Sequence, residues 1–192
     1  MARTQAPEYE ARREVIVERA AELFARTGFH AASVADLAKA CEYSKSLIYY
    51  YFPSKEDVLF AVMESHVDIL LADVAHASRQ ELKPGKKLAL LVRTFMGHYA
   101  GAASRQKVLL NELDSLPEDK RAQIVGKQRQ IIDAVQVLLV AQRPELAADP
   151  ARARGQTMLL FGTINWTHTW FDPAGALSSE DIADMVIELF EL

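Results

Sequence analysis

Two short helices joined by a tight turn are indicated in residues 33–55, SVADLAKACEYSKSLIYYYFPSK, and they constrain the fold more than any other stretch. The first helix begins at Ser33. The second begins at Ser44 and ends before Pro53, because proline lacks a backbone donor and clashes inside a helix. Hydroxyl, phenol and ammonium groups crowd the second helix. This pattern is typical of a helix-turn-helix whose second helix faces a nucleic acid.

Helical patterns frame this motif on both sides. Apolar residues before Gly28 fall on one helical stripe, and Gly28 then offers the left-handed conformation that ends many helices. Ser33 and Asp36 have the spacing of a capping box, in which each side chain bonds the other's free backbone N–H. The same spacing recurs at Ser54 and Asp57, where a long connecting helix is expected to begin.

The rest of the chain also predicts helices and no strands. Further helices are expected to begin near Pro84, after Pro117, at Pro150 and at Ser178. The helix that begins at Pro150 should end at Asp172-Pro173. The fold class is therefore all-α. We expect residues 1–55 to form an N-terminal three-helix helix-turn-helix domain and residues 56–192 to form a larger C-terminal helical domain.

Composition limits the possible partners. The chain has 192 residues, half of them hydrophobic, and a net charge of −4. Its single cysteine cannot form an internal disulfide, no apolar run approaches the roughly 20 residues of a bilayer span, and the N-terminus lacks the apolar core of a signal peptide. A cytoplasmic protein without a membrane partner is expected. Residues 1–60 hold eight Lys/Arg and nine Asp/Glu, a charge of −1, so DNA binding would rest on local cations such as Arg3.

The N-terminal motif resembles that of TetR-family transcriptional regulators. The matching residues are Phe24, Gly28, Phe29, Ser33-Val34, Leu37-Ala38, Ser44-Lys45, Tyr49-Tyr50, Phe52 and Ser54-Lys55. The resemblance implies phosphate contacts from Ser33, Tyr49, Tyr51 and Lys55, and base-edge or backbone contacts from Lys45, Ser46 and Tyr50. Ammonium, hydroxyl and phenol donors suit both kinds of acceptor. Plain packing is the alternative role for three adjacent tyrosines on an amphipathic helix.

The turn departs from the family's pattern. Cys41, Glu42 and Tyr43 stand where a small residue, a glycine and an aliphatic residue are usual. Glu42 is expected to adopt a positive φ at a cost of about 1 kcal/mol. Its carboxylate would also lie near the DNA face. Cys41 is expected to be a small buried core residue, with a redox-sensing role as the alternative.

The larger domain offers aromatic and polar candidates for an effector site. They are Phe95, Tyr99, Arg129, Phe161, Asn165, Trp166, His168 and Trp170. Trp166 and Trp170 lie four residues apart, so one continuous helix would place them on one face. Such a helix suits the wall of a ligand cavity or a dimer interface. Packing in the core is the alternative for both tryptophans, and a satisfied buried polar group is the alternative for Asn165 and His168.

The C-terminal segment also resembles one TetR subgroup. The shared run extends from Gly162-Thr163-Ile164-Asn165-Trp166 through Trp170-Phe171-Asp172-Pro173 to Ala183. The resemblance implies control of fatty-acid, phenylacetate or steroid breakdown in response to acyl-CoA thioesters. Candidate cations for the CoA phosphates are Arg105, Lys120, Arg121, Lys127 and Arg129, and a solvated helix face is the alternative.

No catalytic set is evident, since the five histidines show no metal-ligand pairing and no phosphate-binding glycine pattern occurs. The resemblance thus predicts a homodimeric repressor that binds a double-stranded DNA operator, uses no cofactor and is released by a small hydrophobic effector. The helices near Pro117 and Pro150 would form the dimer interface. A helical enzyme using the aromatic pocket and an effector-independent architectural DNA-binding protein are the alternatives.

Overall fold

The computed structural model of the protein describes residues 5–192, with side chains from residue 7 onward. Arg3, a candidate phosphate contact, lies outside the described residues. The helices are α1 (Gln5–Thr27), α2 (Val34–Ala40), α3 (Lys45–Tyr51), α4 (Lys55–Arg79), α5 (Pro84–Gly101), α6 (Ala103–Asn111), α7 (Glu118–Gln142), α8 (Pro150–Trp166) and α9 (Ser179–Leu189). Short 3-10 turns occupy Leu113–Ser115, Pro144–Ala148 and Thr167–Thr169. The all-α prediction is confirmed for the described part of the chain.

The helix boundaries follow local chemistry that the sequence predicts. Ser33 and Ser178 each form a complete capping box, with Asp36 and Asp181 respectively. Gly28 ends α1 with a φ of 81°. Hydrogen bonds from the serine hydroxyls are the main cause that lowers the pKa of Asp36 and Asp181. These carboxylates therefore stabilise the fold at pH above their ordinary pKa of 3.8, and that contribution is lost as pH falls through their lowered pKa.

The chain folds into two compact units. Unit 1 holds the described residues up to His66 together with Ser104–Ile124, and unit 2 holds Val67–Ala103 and Val125–Leu192. Thus α4 and α7 each begin in unit 1 and end in unit 2. The predicted functional boundary between residues 55 and 56 stays a prediction.

Unit 1 contains the helix-turn-helix. Here α1 packs on α2 and α2 packs on α3, around a core that includes Ile16, Phe24, Leu37 and Ile48. The early part of α4 contributes Leu59 and further apolar residues to the buried set.

The guanidinium of Arg105 fixes α6 within unit 1. It donates to the carboxylates of Glu14 and Glu18 on α1 and, at 3.2 Å, to the hydroxyl of Ser65 on α4. Burial disfavours the charged guanidinium, but the two carboxylates outweigh that effect and raise the pKa of Arg105 above its usual value. Buried Gln106 bonds His66 of α4 at 2.6 Å. Two polar side chains of α6 therefore attach it to α1 and α4.

Unit 2 is a helical core in which α5 packs along α9, and α8 packs on both. Phe95, Leu139, Leu160, Ile164 and Ile182 are among its buried residues. At its edge, the side-chain oxygen of Gln142 on α7 accepts a bond from the backbone N–H of residue 85 at the start of α5, at 2.9 Å.

Two helix boundaries differ from prediction. The segment after Pro84 is broken at residue 102, so that α6 is a separate helix. The helix expected to reach Asp172-Pro173 ends at Trp166. Three successive side chains cause this early end, because Thr167, His168 and Thr169 each bond the carbonyl oxygen three residues back, at 2.6–2.8 Å. Such local bonds compete with helix continuation.

None of the helices in the described part of the chain has the length and apolarity that a bilayer crossing requires.

Candidate functional site

The second helix of the motif, α3, is anchored by a few apolar residues and exposes its polar side chains. The hydroxyl of Ser44 accepts the backbone N–H of Leu47 at 3.1 Å, which fixes the first turn. Ile48 and Phe52 are buried and hold the helix on its neighbours. Anchored in this way, α3 keeps its other face free for a partner.

The outward face of α3 carries four of the predicted contact residues. Lys45, Ser46, Tyr49 and Tyr50 are exposed, and the side chain of Tyr50 is 70% accessible. Tyr51 is half-buried and contacts the ring of Tyr9 on α1. The structure thus brings ammonium, hydroxyl and phenol groups onto one helix surface, although their contacts with DNA stay predictions.

The turn before α3 is a Schellman motif with Glu42 at its left-handed position. The N–H of Glu42 bonds the carbonyl oxygen of Lys39 at 3.2 Å, and the N–H of Tyr43 bonds that of Ala38 at 2.9 Å. The φ of Glu42 is 57°, as its place in the turn predicts. A β-carbon costs about 1 kcal/mol in this conformation, which glycine adopts freely.

Ser33, a predicted phosphate contact, is already used as a helix cap. Its hydroxyl donates to the carboxylate of Asp36 at 2.6 Å and accepts the backbone N–H of Asp36 at 3.2 Å. Binding of a phosphate by this hydroxyl would require it to leave the carboxylate.

Lys55 holds the turn between α1 and α2. Its Nζ atom donates to the carbonyl oxygens of Phe29 and Ala32, at 2.9 Å each, and lies 4.2 Å from the centroid of the Phe29 ring. An ammonium group has three N–H donors, so one remains for a phosphate. Lys55 is therefore a structural clamp as well as a predicted phosphate contact.

Glu112, in the segment that follows α6, completes this clamp from the other side. Its carboxylate accepts the backbone N–H of Phe29 at 3.1 Å and the hydroxyl of Ser115 at 3.2 Å. The same serine lies 3.2 Å from a ring nitrogen of His30. We call Lys55, Glu112 and the backbone N–H and carbonyl of Phe29 between them the Phe29 clamp.

The first turn of α4 is tied to α7. Asp57 accepts the hydroxyl of Ser54 at 2.5 Å and also accepts a bond from Lys120. Burial raises the pKa of the Asp57 carboxyl, but these two donors outweigh it, and the net pKa is lowered.

Several cations near the motif already have partners. Arg12 pairs with Glu8 and Arg19 with Glu22, both on α1. The guanidinium of Arg13 lies 5.1 Å from the centroid of the Phe52 ring. Buried Cys41 is consistent with a core residue, and burial raises the pKa of its thiol to about 11.

Four predicted effector residues form one cluster in unit 2. The ring of Phe95 stacks on that of Tyr99, with centroids 6.4 Å apart, and lies 6.3 Å from that of Phe161. The phenol of Tyr99 donates to Asn165 Oδ1 at 3.0 Å. All three rings are buried. We call these residues the aromatic cluster.

The other predicted effector residues lie elsewhere. The expectation that Trp166 and Trp170 share a helical face is wrong, because α8 ends at the first of them and a 3-10 turn intervenes. They are 64% and 53% exposed. His168 bonds the backbone carbonyl of Asn165 at 2.7 Å, and Arg129 is exposed on α7.

Most candidate cations for CoA phosphates are already paired with carboxylates. Lys120 pairs with Asp57, Arg121 with Asp114, Lys127 with Asp68, and Arg105 with Glu14 and Glu18. Any phosphate bound by them would compete with these ion pairs.

Sequence reasoning missed three residues that matter to unit 1: Tyr9, Arg105 as an anchor of α6, and Glu112. Their partners are 40 to 91 positions away in sequence. No local spacing rule could have found them.

Two sequence profiles match the chain. The profile of the family "Bacterial regulatory proteins, tetR family" matches residues 16–62. The profile of the family "Tetracyclin repressor-like, C-terminal domain" matches residues 81–191. The chain is 30% identical over 131 residues to the transcriptional regulator RutR of Escherichia coli O157:H7, which covers 60% of the chain and 61% of RutR. The matches span between 31% and 61% of the length of the first two curated relatives.

Solved structures share the fold over nearly the full chain. The crystal structure of a TetR-family transcriptional regulator from Bordetella parapertussis 12822 is 42% identical, covers 93% of both chains and has a TM-score of 0.89. AibR, solved with isovaleryl coenzyme A and operator DNA, is 24% identical, with 93% of this chain and 97% of AibR covered and a TM-score of 0.83. At that identity, the likeness to AibR shows the fold alone.

Replacing Lys55 by methionine should lower the free energy of unfolding by about 2 kcal/mol, because two carbonyls lose a charged donor. Urea unfolding followed by circular dichroism measures this. Lys45→Met removes the same charge from an exposed position and should change stability by less than about 0.5 kcal/mol. Equally small effects of both substitutions would contradict the clamp.

Proposed function

The chain belongs to the TetR family of bacterial regulatory proteins, and we propose that it acts as a homodimeric, ligand-responsive repressor that binds a two-fold symmetric DNA operator. The family consists of transcriptional regulators and not of enzymes. One observation carries the proposal. The anchored α3 helix exposes Lys45, Ser46, Tyr49 and Tyr50 together on one face.

These side chains divide into two roles. Lys45 and the Tyr49 hydroxyl are donors for phosphate oxygens, and phosphate contacts fix the position of a protein on DNA without reading its sequence. Ser46 and Tyr50, on the same face, are suited to base edges in the major groove. A phosphate contact from Lys55 would use its third N–H, and Ser33 could contribute only if its hydroxyl stopped donating to the Asp36 carboxylate.

Dimerisation compensates for the small number of cations. A charge of −1 over residues 1–60 gives no broad electrostatic attraction to DNA. Two copies of α3 in a two-fold dimer double every contact. They would lie about 34–36 Å apart, or a multiple of it, to match successive major grooves.

The surface of α8 supports a dimer. Gly155, Leu159, Gly162 and Trp166 follow one another at helical spacing, and all four are exposed. A β-carbon added at either glycine would meet nothing within 4 Å, so this copy alone gives no reason for them. A helix-interior glycine costs roughly 1 kcal/mol relative to alanine.

A second copy of the chain packed against α8 would explain the two glycines. Glycines let two helix backbones approach closely, and Leu159 and Trp166 beside them would be buried. On α7, Val137 and Ala141 are exposed as well. We therefore assign the interface to α7 and α8.

The aromatic cluster is the proposed effector site. The rings of Phe95, Tyr99 and Phe161 are buried, so an effector would bind by moving them apart, beside the polar pair that Tyr99 forms with Asn165. Such a lining suits an acyl or aromatic acid, or the acyl part of a CoA thioester. AibR carries isovaleryl coenzyme A, which makes short acyl-CoAs worth testing here.

The effector would weaken operator binding by favouring a dimer whose recognition helices are wrongly spaced. A coupling of about 1–3 kcal/mol per effector is ordinary for such proteins. An effector-independent architectural protein is the second candidate, and it is decided by the effector experiment below.

Lys45→Ala should flatten the salt dependence of operator binding. Each lost phosphate contact reduces the slope of log K against log salt by about 0.9, so a dimer loses about 1.8. Fluorescence anisotropy with a duplex that the wild-type protein selects from a randomised pool measures this. Lys83→Ala, an exposed lysine before α5, is the control. An unchanged slope for Lys45→Ala would remove Lys45 from the phosphate contacts, and no selected sequence at all would overturn the proposed function.

Leu159→Asp should convert the dimer into a monomer, because an aspartate would be buried without a partner at the α8 crossing. Sedimentation velocity at micromolar concentration reports the change. Leu82→Asp, at another exposed leucine before α5, should leave the dimer intact. Dimers in both variants would place the interface elsewhere.

One of a panel of acyl-CoAs, fatty acids and aromatic acids should raise the melting temperature, since ligand at 100 times Kd adds about 2.7 kcal/mol. Tyr99→Phe should reduce the shift, while Leu177→Ala in the exposed loop before α9 should not. Free CoA, which has the phosphates but no acyl group, is tested alongside, so that a shift caused by phosphate binding can be told from one caused by acyl binding. If operator binding holds but no compound shifts stability or releases DNA, the architectural alternative is favoured.

A further inference from the structure

Tyr9, on the second turn of α1, lies against the DNA-facing helix. Its ring centroid is 4.6 Å from that of Tyr51, with the planes tilted by 36°, and 6.2 Å from that of Tyr50, nearly edge-on at 77°. The rings of Tyr50 and Tyr51 are themselves 5.3 Å apart at 88°. Three rings from two helices of unit 1 therefore contact one another.

These contacts restrict a side chain that would otherwise rotate freely. Tyr50 is 70% exposed, so few other atoms hold its ring. Edge-on and tilted ring pairs at these separations are favourable arrangements. A side chain already held in its bound orientation loses less conformational entropy when a partner binds.

A surface groove lies beside the three rings. It has a volume of about 290 Å³ and is lined by Glu8, Tyr9, Arg12, Leu47, Tyr50 and Tyr51. Within it Arg12 donates to the carboxylate of Glu8. Tyr9 is 36% exposed, so its ring serves as a wall of a surface groove and not as part of the core.

We propose that Tyr9 is a positioning residue for sequence discrimination: its ring fixes Tyr50 and Tyr51 on α3 and thereby sets which operators the protein prefers. This inference rests on the proposed function, in which α3 reads the operator. The Tyr9 ring acts through its two neighbours, so its hydroxyl is dispensable.

Three substitutions separate the ring from the hydroxyl and from the helix. Tyr9→Phe keeps the ring, Tyr9→Ala removes it, and Val15→Ala trims another exposed apolar residue of α1 that is 41% accessible. Affinities are measured for the duplex selected by the wild-type protein, for that duplex with single base pairs changed, and for an unrelated duplex.

Tyr9→Ala should weaken binding to the selected duplex about tenfold while changing affinity for the unrelated duplex less than threefold. Tyr9→Phe and Val15→Ala should behave like wild type. Because Tyr9 acts through Tyr50, the double variant Tyr9→Ala/Tyr50→Ala should bind hardly more weakly than Tyr50→Ala alone. The inference would be overturned if the affinity losses of Tyr9→Ala and Tyr50→Ala multiplied in the double variant. Equal affinity losses on all duplexes, or an affinity loss in Tyr9→Phe as large as that in Tyr9→Ala, would also overturn it.

A measurement on the free protein keeps the test independent of DNA. With selectively labelled tyrosine, the NMR signals of Tyr50 and Tyr51 should shift in Tyr9→Ala but not in Val15→Ala, and unshifted signals would overturn the inference. If the wild-type protein selects no DNA sequence but the signals shift, the proposed function fails while the ring contact stands.

Discussion

The arrangement of unit 1 depends on the backbone of Phe29, whose N–H and carbonyl oxygen are each held by a side chain. Lys55 donates to its carbonyl oxygen from α4, and Glu112 accepts its N–H after α6. Phe29 lies in the turn between α1 and α2, and this turn determines where α2 begins. The position of α3 follows because α3 packs on α2. Leaving either of these partly buried backbone groups without its partner would cost free energy comparable to a lost hydrogen bond. Two side chains on elements other than α2 and α3 thus help to fix the turn from which α2 begins.

The segment around α6 is, in consequence, part of the DNA-binding unit. Glu112 is one of its three attachments, and the buried Gln106–His66 pair and the Arg105 ion pairs are the other two. Displacement of α6 would have to break these bonds or move α1 and α4 with it. The proposed response to an effector requires an element whose displacement also displaces α3.

Local chemistry explains which elements could be predicted from the sequence. Caps at Ser33, Ser44 and Ser178 and the positive φ of Glu42 follow from residues within a few positions, so their spacing alone was sufficient. The end of α8 was not predicted, because three consecutive side chains compete with the helix for its carbonyls. The spacing of apolar residues does not indicate such hydrogen bonds.

The candidate sites divide in the same way. The exposed face of α3 could be predicted because it repeats with helical period. Phe95, Tyr99, Phe161 and Asn165 could be recognised as aromatic and polar candidates, but folding alone brings them into one cluster. The added role of Lys55 and the contact of Tyr9 with α3 depend on residues brought together by folding, which no spacing rule encodes.

Hydroxyl-radical footprinting of the wild-type protein on its selected duplex tests the central claim most directly. A two-fold dimer that presents two copies of α3 predicts two symmetric protected patches whose centres lie 10–10.5 base pairs apart, or a multiple of that spacing. A single protected patch, or protection without symmetry, would contradict it.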